Sequence, residues 1–228
     1  MRVVLTQSAG KLQDLENLLR ARGYEVERSP LISTQSLISD EVRTRASQLL
    51  ACNWLLFTSP AGAEAWGKLG LGFAEAKLGA VGQKTARALE TLGASVDLLG
   101  EPASARGLLE AFLQHPKASA PVGLPRGDRA LSLLEDELGK HGFETRACVI
   151  YQTIPLSWRV ANADVIVLAS PSAVEALPQE AAKAAKLVAL GPSTGAALED
   201  MGWAYTQAQS PEATAVLKAI EKVIGAST

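Results

Sequence analysis

Two histidines and two cysteines are all the imidazole and thiol groups that the 228 residues offer. His115 precedes Pro116 in a loop and His141 ends a helical stretch before Gly142, so both read as surface residues. No Cys, His and Asp cluster has metal-ligand spacing. Neither histidine stands at a strand's carboxyl end, where a serine triad would need it. Cys52 and Cys148 sit beside apolar residues at strand positions and read as small buried hydrophobes, not as a disulfide or a nucleophile. Aromatics are scarce at 5%, which disfavours an aromatic-rich sandwich and the stacking platform of a flavin site. Basic runs are missing as well: the net charge is -2, with Lys and Arg interspersed among Asp and Glu. Nucleic acid is therefore excluded as a partner. No apolar run approaches about 18 residues, and the opening MRVVLTQSAG turns polar too soon for a signal peptide. The expectation is a cytoplasmic protein without a membrane partner. No G-x-x-x-x-G-K-[ST] occurs, and the GLG at 70–72 joins a helix to a strand instead of following the first strand. ATP, NAD and metal are disfavoured, and no cofactor is expected.

What remains is a soluble composition, 47% hydrophobic and 20% charged, in a chain long enough for one large domain or two small ones. Short β-branched runs alternate with amphipathic stretches. Residues 2–6 read as a strand, and 11–23 as a helix with Leu12, Leu15, Leu18 and Leu19 on one face. Residues 24–29, 54–58, 78–81, 95–99, 121–125, 143–151, 165–169, 187–190 and 203–206 read as further strands. Gly23, Gly93, Gly142 and Gly202 close helices in the left-handed position just before the next strand. Strand-helix alternation with near-continuous apolar strands means α/β with a parallel sheet. Ten strands fit two five-stranded sheets better than one.

An internal repeat supports the count. FTSPAGAEA around Ser59-Pro60 returns as ASPSAVEAL around Ser170-Pro171, and LGAVGQKTARAL from 78 returns as LVALGPSTGAAL from 187. A fainter echo pairs residues 18–32 with 136–151. The order is a strand-helix-strand unit A, a three-strand unit B, then A′ and B′. One A with one B makes a doubly wound domain. Every connecting stretch is short, so the repeat leaves open which A joins which B.

Ser before Pro is good N-cap chemistry. The hydroxyl accepts from an exposed helix N–H, and Pro at the first helical position has no N–H to lose. Taken singly, each such turn is a cap. Together, Ser59-Pro60, Ser170-Pro171, Gly82 to Thr85 and Gly191 to Thr194 all start helices at the carboxyl ends of parallel strands. That edge is where open α/β sheets bind ligands, and helix N-termini there suit carboxylate or phosphate. Two such edges facing across a cleft would hold one large, multiply anionic ligand. Arg126, in GLPRGD just after a strand, is the clearest charged addition.

The motifs, in their order and spacing, resemble the uroporphyrinogen-III synthase family over essentially the whole chain. The carriers are the VLT start, FTSPAGAEA (57–65), AVGQKTARAL (80–89), SARGLLEAF (104–112), VIYQT (149–153), ASPSAVEAL (169–177) and ALGPSTGAAL (189–198). The resemblance implies two flavodoxin-like, doubly wound parallel-sheet α/β domains joined by a two-segment hinge. One domain would take residues 1–32 with 156–228, the inserted one 37–147, with 29–36 and 148–155 as hinge segments. A would then join B′, and B would join A′.

The activity implied is the cyclisation of hydroxymethylbilane to uroporphyrinogen III, with loss of water and inversion of ring D. An azafulvene forms, the substituted carbon of ring D attacks to give a spiro intermediate, and fragmentation with recombination follows. No cofactor is needed. Uncatalysed closure gives isomer I, so the enzyme's main task is to fold the chain. The matching general-acid position is Tyr151 in VIYQT, a phenol able to donate a proton; its structural reading is an aromatic at a strand end. Matching substrate positions are Thr58, Ser59, Thr85, Ser170, Ser193 and Thr194, with Lys84, Ser172 and Arg126 beside them. Many relatives carry arginine where Gln7 stands, and some where Ala61 stands, and both departures move the weight onto amide donors. Lys186 matches a basic family position but starts its strand, away from the expected cleft. The expected partners are the linear tetrapyrrole and, in transient hand-over, the preceding enzyme; the expected state is a monomer. The rival from another class is a non-catalytic two-lobed binding module for a small anion, and a third reading is flavin mononucleotide binding.

Overall fold

The computed structural model describes residues 1–7, 12–130 and 132–225; Lys11, the first residue of the expected helix, lies outside them. In chain order the elements are β1 (Arg2–Leu5), α1 (Gln13–Ala21), β2 (Glu25–Arg28), β3 (Ile32–Ser36), α2 (Asp40–Ser47), β4 (Trp54–Phe57) and α3 (Pro60–Leu69). There follow β5 (Lys77–Ala80), α4 (Gln83–Glu90), β6 (Leu98–Leu99), α5 (Ala105–Gln114), β7 (Val122–Gly127), α6 (Leu133–Lys140) and β8 (Thr145–Pro155). The last are β9 (Val165–Leu168), α7 (Pro171–Ala176), α8 (Gln179–Ala184), β10 (Lys186–Ala189), α9 (Pro192–Asp200), β11 (Tyr205–Gln207) and α10 (Ala213–Gly225).

The chain divides into two compact units, residues 1–33 with 154–228, and residues 34–153. The first holds a five-stranded sheet ordered β11-β10-β9-β1-β2, so both chain ends share one sheet. The order reverses between β1 and β9, which pair in parallel from Val3 opposite Val165 to Leu5 opposite Val167. Strand alternation feeds two cores. Val3, Leu5, Val165 and Val167 pack with α1 and α10, while Val4, Ile166 and Leu168 pack with α7 to α9. A four-residue strand buried on both faces has no polar side to show, which is why VIVL reads as unbroken apolar sequence.

The second unit holds six strands ordered β3-β8-β7-β4-β5-β6, reversing between β4 and β7. Leu55 and Phe57 face the α2, α3 and α4 side, whereas Trp54 and Leu56 face α5 and α6. Trp54 is fully buried, meets Phe112 edge-on at 5.4 Å and donates its indole N–H to the Lys117 carbonyl. The sixth strand corrects the expectation of two five-stranded sheets. By sequence, residues 32–36 are only a connection, but β8 runs on to Pro155 and gives them a partner. Leu37 N donates to Ile150 O at 2.8 Å and Leu156 N to Leu31 O at 2.7 Å, an antiparallel pairing of the two connecting segments. At the other edge the strand expected over 95–99 shrinks to Leu98–Leu99. There the Asp97 carboxylate, not a backbone carbonyl, accepts from Leu78 N at 2.9 Å, ending the ladder early.

Gly23, Gly93, Gly142 and Gly202 take φ of 80°, 80°, 80° and 68°, the left-handed helix ends expected of them. On α1, Glu16 accepts from Arg20 at 2.9 Å and from Arg28 at 2.6 Å, tying the helix to β2. Hydrogen bonds from Arg20, then Arg28, hold the Glu16 carboxyl below its ordinary 4.5. The stabilisation is complete above 4.5 and is lost as pH falls through the lower folded value. Glu16→Gln therefore lowers the melting temperature at pH 7 and flattens its fall below pH about 4.5. An acid limb as steep as in the wild type would show that the pairing contributes nothing.

Candidate active site

The carboxyl ends of β4, β5, β7 and β8 carry most of the candidate residues of the second unit. Ser59 follows β4 as N-cap of α3, with extended backbone, and its Oγ accepts from Gly62 N at 3.0 Å. Ser170 repeats this after β9 at nearly the same φ and ψ, accepting from Ala173 N at 3.3 Å. Gly82 and Gly191 cap α4 and α9 with extended backbone and no side chain. The repeated motifs are thus repeated helix starts, each at a strand's carboxyl end.

Within the second unit, the reversal between β4 and β7 brings Thr58 and Ser59 beside the segment after β7, and β8 adds Tyr151. The Tyr151 hydroxyl lies 2.8 Å from Ser59 Oγ, and either can donate. A break in register aims this side chain. Arg126 stands opposite Val149, but Gly127 stands opposite Tyr151, so Ile150 is an extra residue on β8. Without that bulge Tyr151 would share the exposed face of Val149. With it, the ring packs on the same core as Cys148 and Ile150 and remains half-buried. The turn after β7 fastens the bulge: Asp128 N donates to Tyr151 O at 3.1 Å, and the Asp128 carboxylate accepts from Thr153 N at 2.9 Å.

The other candidates take varied places. Ala61 is half-buried in the first turn of α3, and Lys84 is exposed at the start of α4. Thr85 is 1% exposed and Thr194, its counterpart in α9, is 2% exposed, so both lie under their helices. Arg126 pairs with Glu135 and the Ala130 carbonyl, and its buried Nε has no partner among the described residues. In the first unit, Gln7 follows β1 and Ser170 follows β9, the two strands at the reversal. Ser172 is half-buried and Ser193 exposed. Lys186 opens β10 and lines a surface cavity of about 730 Å³ at the amino ends of the strands, the opposite edge from Ser170. Burial pushes the Cys52 and Cys148 thiols up, so neither is a nucleophilic thiolate at neutral pH. Among the described residues, no group of three or more His, Cys, Asp or Glu could hold a metal ion. No helix among them is long and apolar enough to cross a membrane.

The family model described as uroporphyrinogen-III synthase HemD matches residues 13–218. The chain belongs to that family. It is accordingly an enzyme of the cyclising hydro-lyase type, in porphyrin and haem biosynthesis. Solved structures agree in fold. A mutant uroporphyrinogen III synthase from the extremely thermophilic bacterium Thermus thermophilus is similar at a TM-score of 0.69 and 20% identity, with 100% of both chains covered. Uroporphyrinogen-III synthetase from Helicobacter pylori is similar at 0.64 and 18%, covering 98% of this chain and 100% of that one. At such identities the likeness carries the α/β fold with two sheets, and the family match carries the enzyme class.

Sequence reading missed Gly62, Gly127, Asp128 and Thr153, which surround Tyr151 and Ser59. Gly-Asp after a strand signals a turn and nothing more. The bulge that makes those residues matter leaves no mark in VIYQT.

Proposed function

We propose that the chain closes hydroxymethylbilane into uroporphyrinogen III, with helix N-terminal amides binding the substrate carboxylates and Tyr151 acting as general acid. The observation that carries this reading is the Tyr151 hydroxyl set 2.8 Å from the Ser59 hydroxyl, at the positive end of α3. Ser59 Oγ accepts from Gly62 N, and of the two donor directions open to the Ser59–Tyr151 pair this reading takes Ser59 as donor, which turns the phenol's own proton outward. That proton passes to the departing hydroxyl, the C–O bond breaks with its electron pair, and water leaves. The electron-rich pyrrole supplies the push and becomes the azafulvene in its N-protonated, cationic form, keeping its N–H. The phenolate rests beside the helix N-terminus until the proton shed on rearomatisation of the closed ring restores it.

In the second unit the carboxylates fall to the amides at the starts of α3 and α4 and to Lys84 at the start of α4; in the first unit the start of α9 and the Ser193 hydroxyl offer donors of the same kind. Arg126 stays with Glu135 in this reading, and Thr85 and Thr194 shape the helix starts from below. Fixed amide donors need no net positive charge, which suits a protein of net charge -2. We further propose a monomer in the reducing cytoplasm, which suits two unpaired buried cysteines, and a transient hand-over from the enzyme that makes the linear substrate.

A product-isomer assay tests the core of this. Hydroxymethylbilane is generated, the protein is added, and the oxidised products are separated. The expected product is mostly uroporphyrin III, formed faster than spontaneous closure. Mostly isomer I at the spontaneous rate would overturn the reading and favour a non-catalytic anion-binding module.

A further inference from the structure

We propose that Gly127 is a positioning residue for Tyr151: its missing side chain is the seat on which the phenol rests. A Cβ built on Gly127 would stand 2.6 Å from both Cε2 and Cζ of the Tyr151 ring and 2.8 Å from its hydroxyl oxygen. Those distances are far inside contact, so no residue but glycine leaves the ring where it is. Gly127 has no left-handed φ, so backbone conformation does not explain the glycine; the ring does. Three further constraints converge on the same ring. The bulge at Ile150 turns it inward, the Asp128 turn straps the backbone at the Tyr151 carbonyl and the Thr153 amide, and Ser59 holds its hydroxyl. A Cβ on Gly62 would meet Ser59 Oγ at 3.3 Å and the Tyr151 ring at 3.7 Å, so the opposite wall is also close. A phenol so enclosed has one orientation, and a general acid needs its proton within hydrogen-bond reach of one leaving oxygen.

The atoms that obstruct a Cβ on Gly127 are the far end of a side chain, not backbone. Gly127→Ala therefore shifts the ring while the fold survives, moving the acid without changing its chemistry. This inference rests on Tyr151 as the general acid, and a double-mutant cycle separates the two claims. Gly127→Ala, Tyr151→Phe and the double variant are compared for turnover, product isomer and melting temperature. The expected result is a melting temperature near wild type and turnover about tenfold lower in Gly127→Ala, since small misplacement of a catalytic group is costly. In the Tyr151→Phe background the same alanine has no further effect on turnover, because no hydroxyl remains to be positioned. Isomer III persists throughout. Wild-type turnover in Gly127→Ala, or an equal loss in both backgrounds, overturns the seat while leaving Tyr151 as the acid. Wild-type turnover in Tyr151→Phe overturns both.

Discussion

Tyr151→Phe is expected to turn over hydroxymethylbilane about a hundredfold more slowly than the wild type, the low end of what a positioned general acid contributes. Its product stays isomer III. The two expectations come from different physics. Proton donation to the departing hydroxyl depends on one oxygen, which the substitution removes. Directing the substituted carbon of ring D to attack depends on how many carboxylates are held at once, which it leaves alone. Phe fills nearly the same space against the core cluster that holds Ala63, Cys148 and Ile150, so the core keeps its packing. Ser59 loses its partner at 2.8 Å but keeps its bond to Gly62 N, so the start of α3 also survives. Turnover and product isomer, measured on the same samples, decide the matter. Isomer I at wild-type consumption would show that the phenol steers ring D and does not serve as the acid.

Gly107→Ala is expected to destabilise the protein by about 3 kcal/mol, and here sequence logic predicts the opposite sign. Gly107 lies in the first turn of α5, and Gly→Ala inside a helix ordinarily stabilises by about 1 kcal/mol. A Cβ there, however, would stand 2.1 Å from the Pro102 carbonyl oxygen and 2.9 Å from the Glu101 carbonyl carbon. Those are backbone atoms, and α5 must move away from them. The movement also pulls Gly107 N from Ser104 Oγ, now 3.0 Å away, and lifts Leu108 and Phe112 from a core in which both are fully buried. Thermal or urea unfolding reads the result as a fall in melting temperature of roughly 10 °C. An unchanged or raised value would mean that the segment before α5 yields freely and that propensity governs. Gly107 and Gly127 thus behave differently on substitution. One abuts rigid backbone, and alanine there costs stability; the other abuts a movable ring, and alanine there costs geometry.

Much of the architecture was written locally. Alternating β-branched runs and leucine-faced helices announce parallel α/β because burial on both sides of a strand admits only apolar residues. Ser59, Ser170 and the four helix-closing glycines were legible because a cap depends on residues at most three positions away. The repeat marked both helix starts for the same reason.

Partnership was not local. Strand β9 pairs with β1 across some 160 residues of chain, and β3 finds β8 only because β8 overruns its expected end. No stretch of sequence encodes such neighbours, since hydrogen-bonding backbone is the same for every residue. The candidate residues followed the same divide. Their types and their place at strand ends came from the sequence. That Thr85 and Thr194 are buried, that Arg126 is paired with Glu135, and that Tyr151 sits on Gly127 against Ser59 was decided by the packed structure. Distances of a few ångströms between residues far apart in the chain are set by how whole sheets and helices pack, and a one-residue bulge is enough to turn a side chain from solvent to core. The sequence by itself determined the elements, their caps and the chemistry available at strand ends; only the tertiary structure decided which of those groups meet.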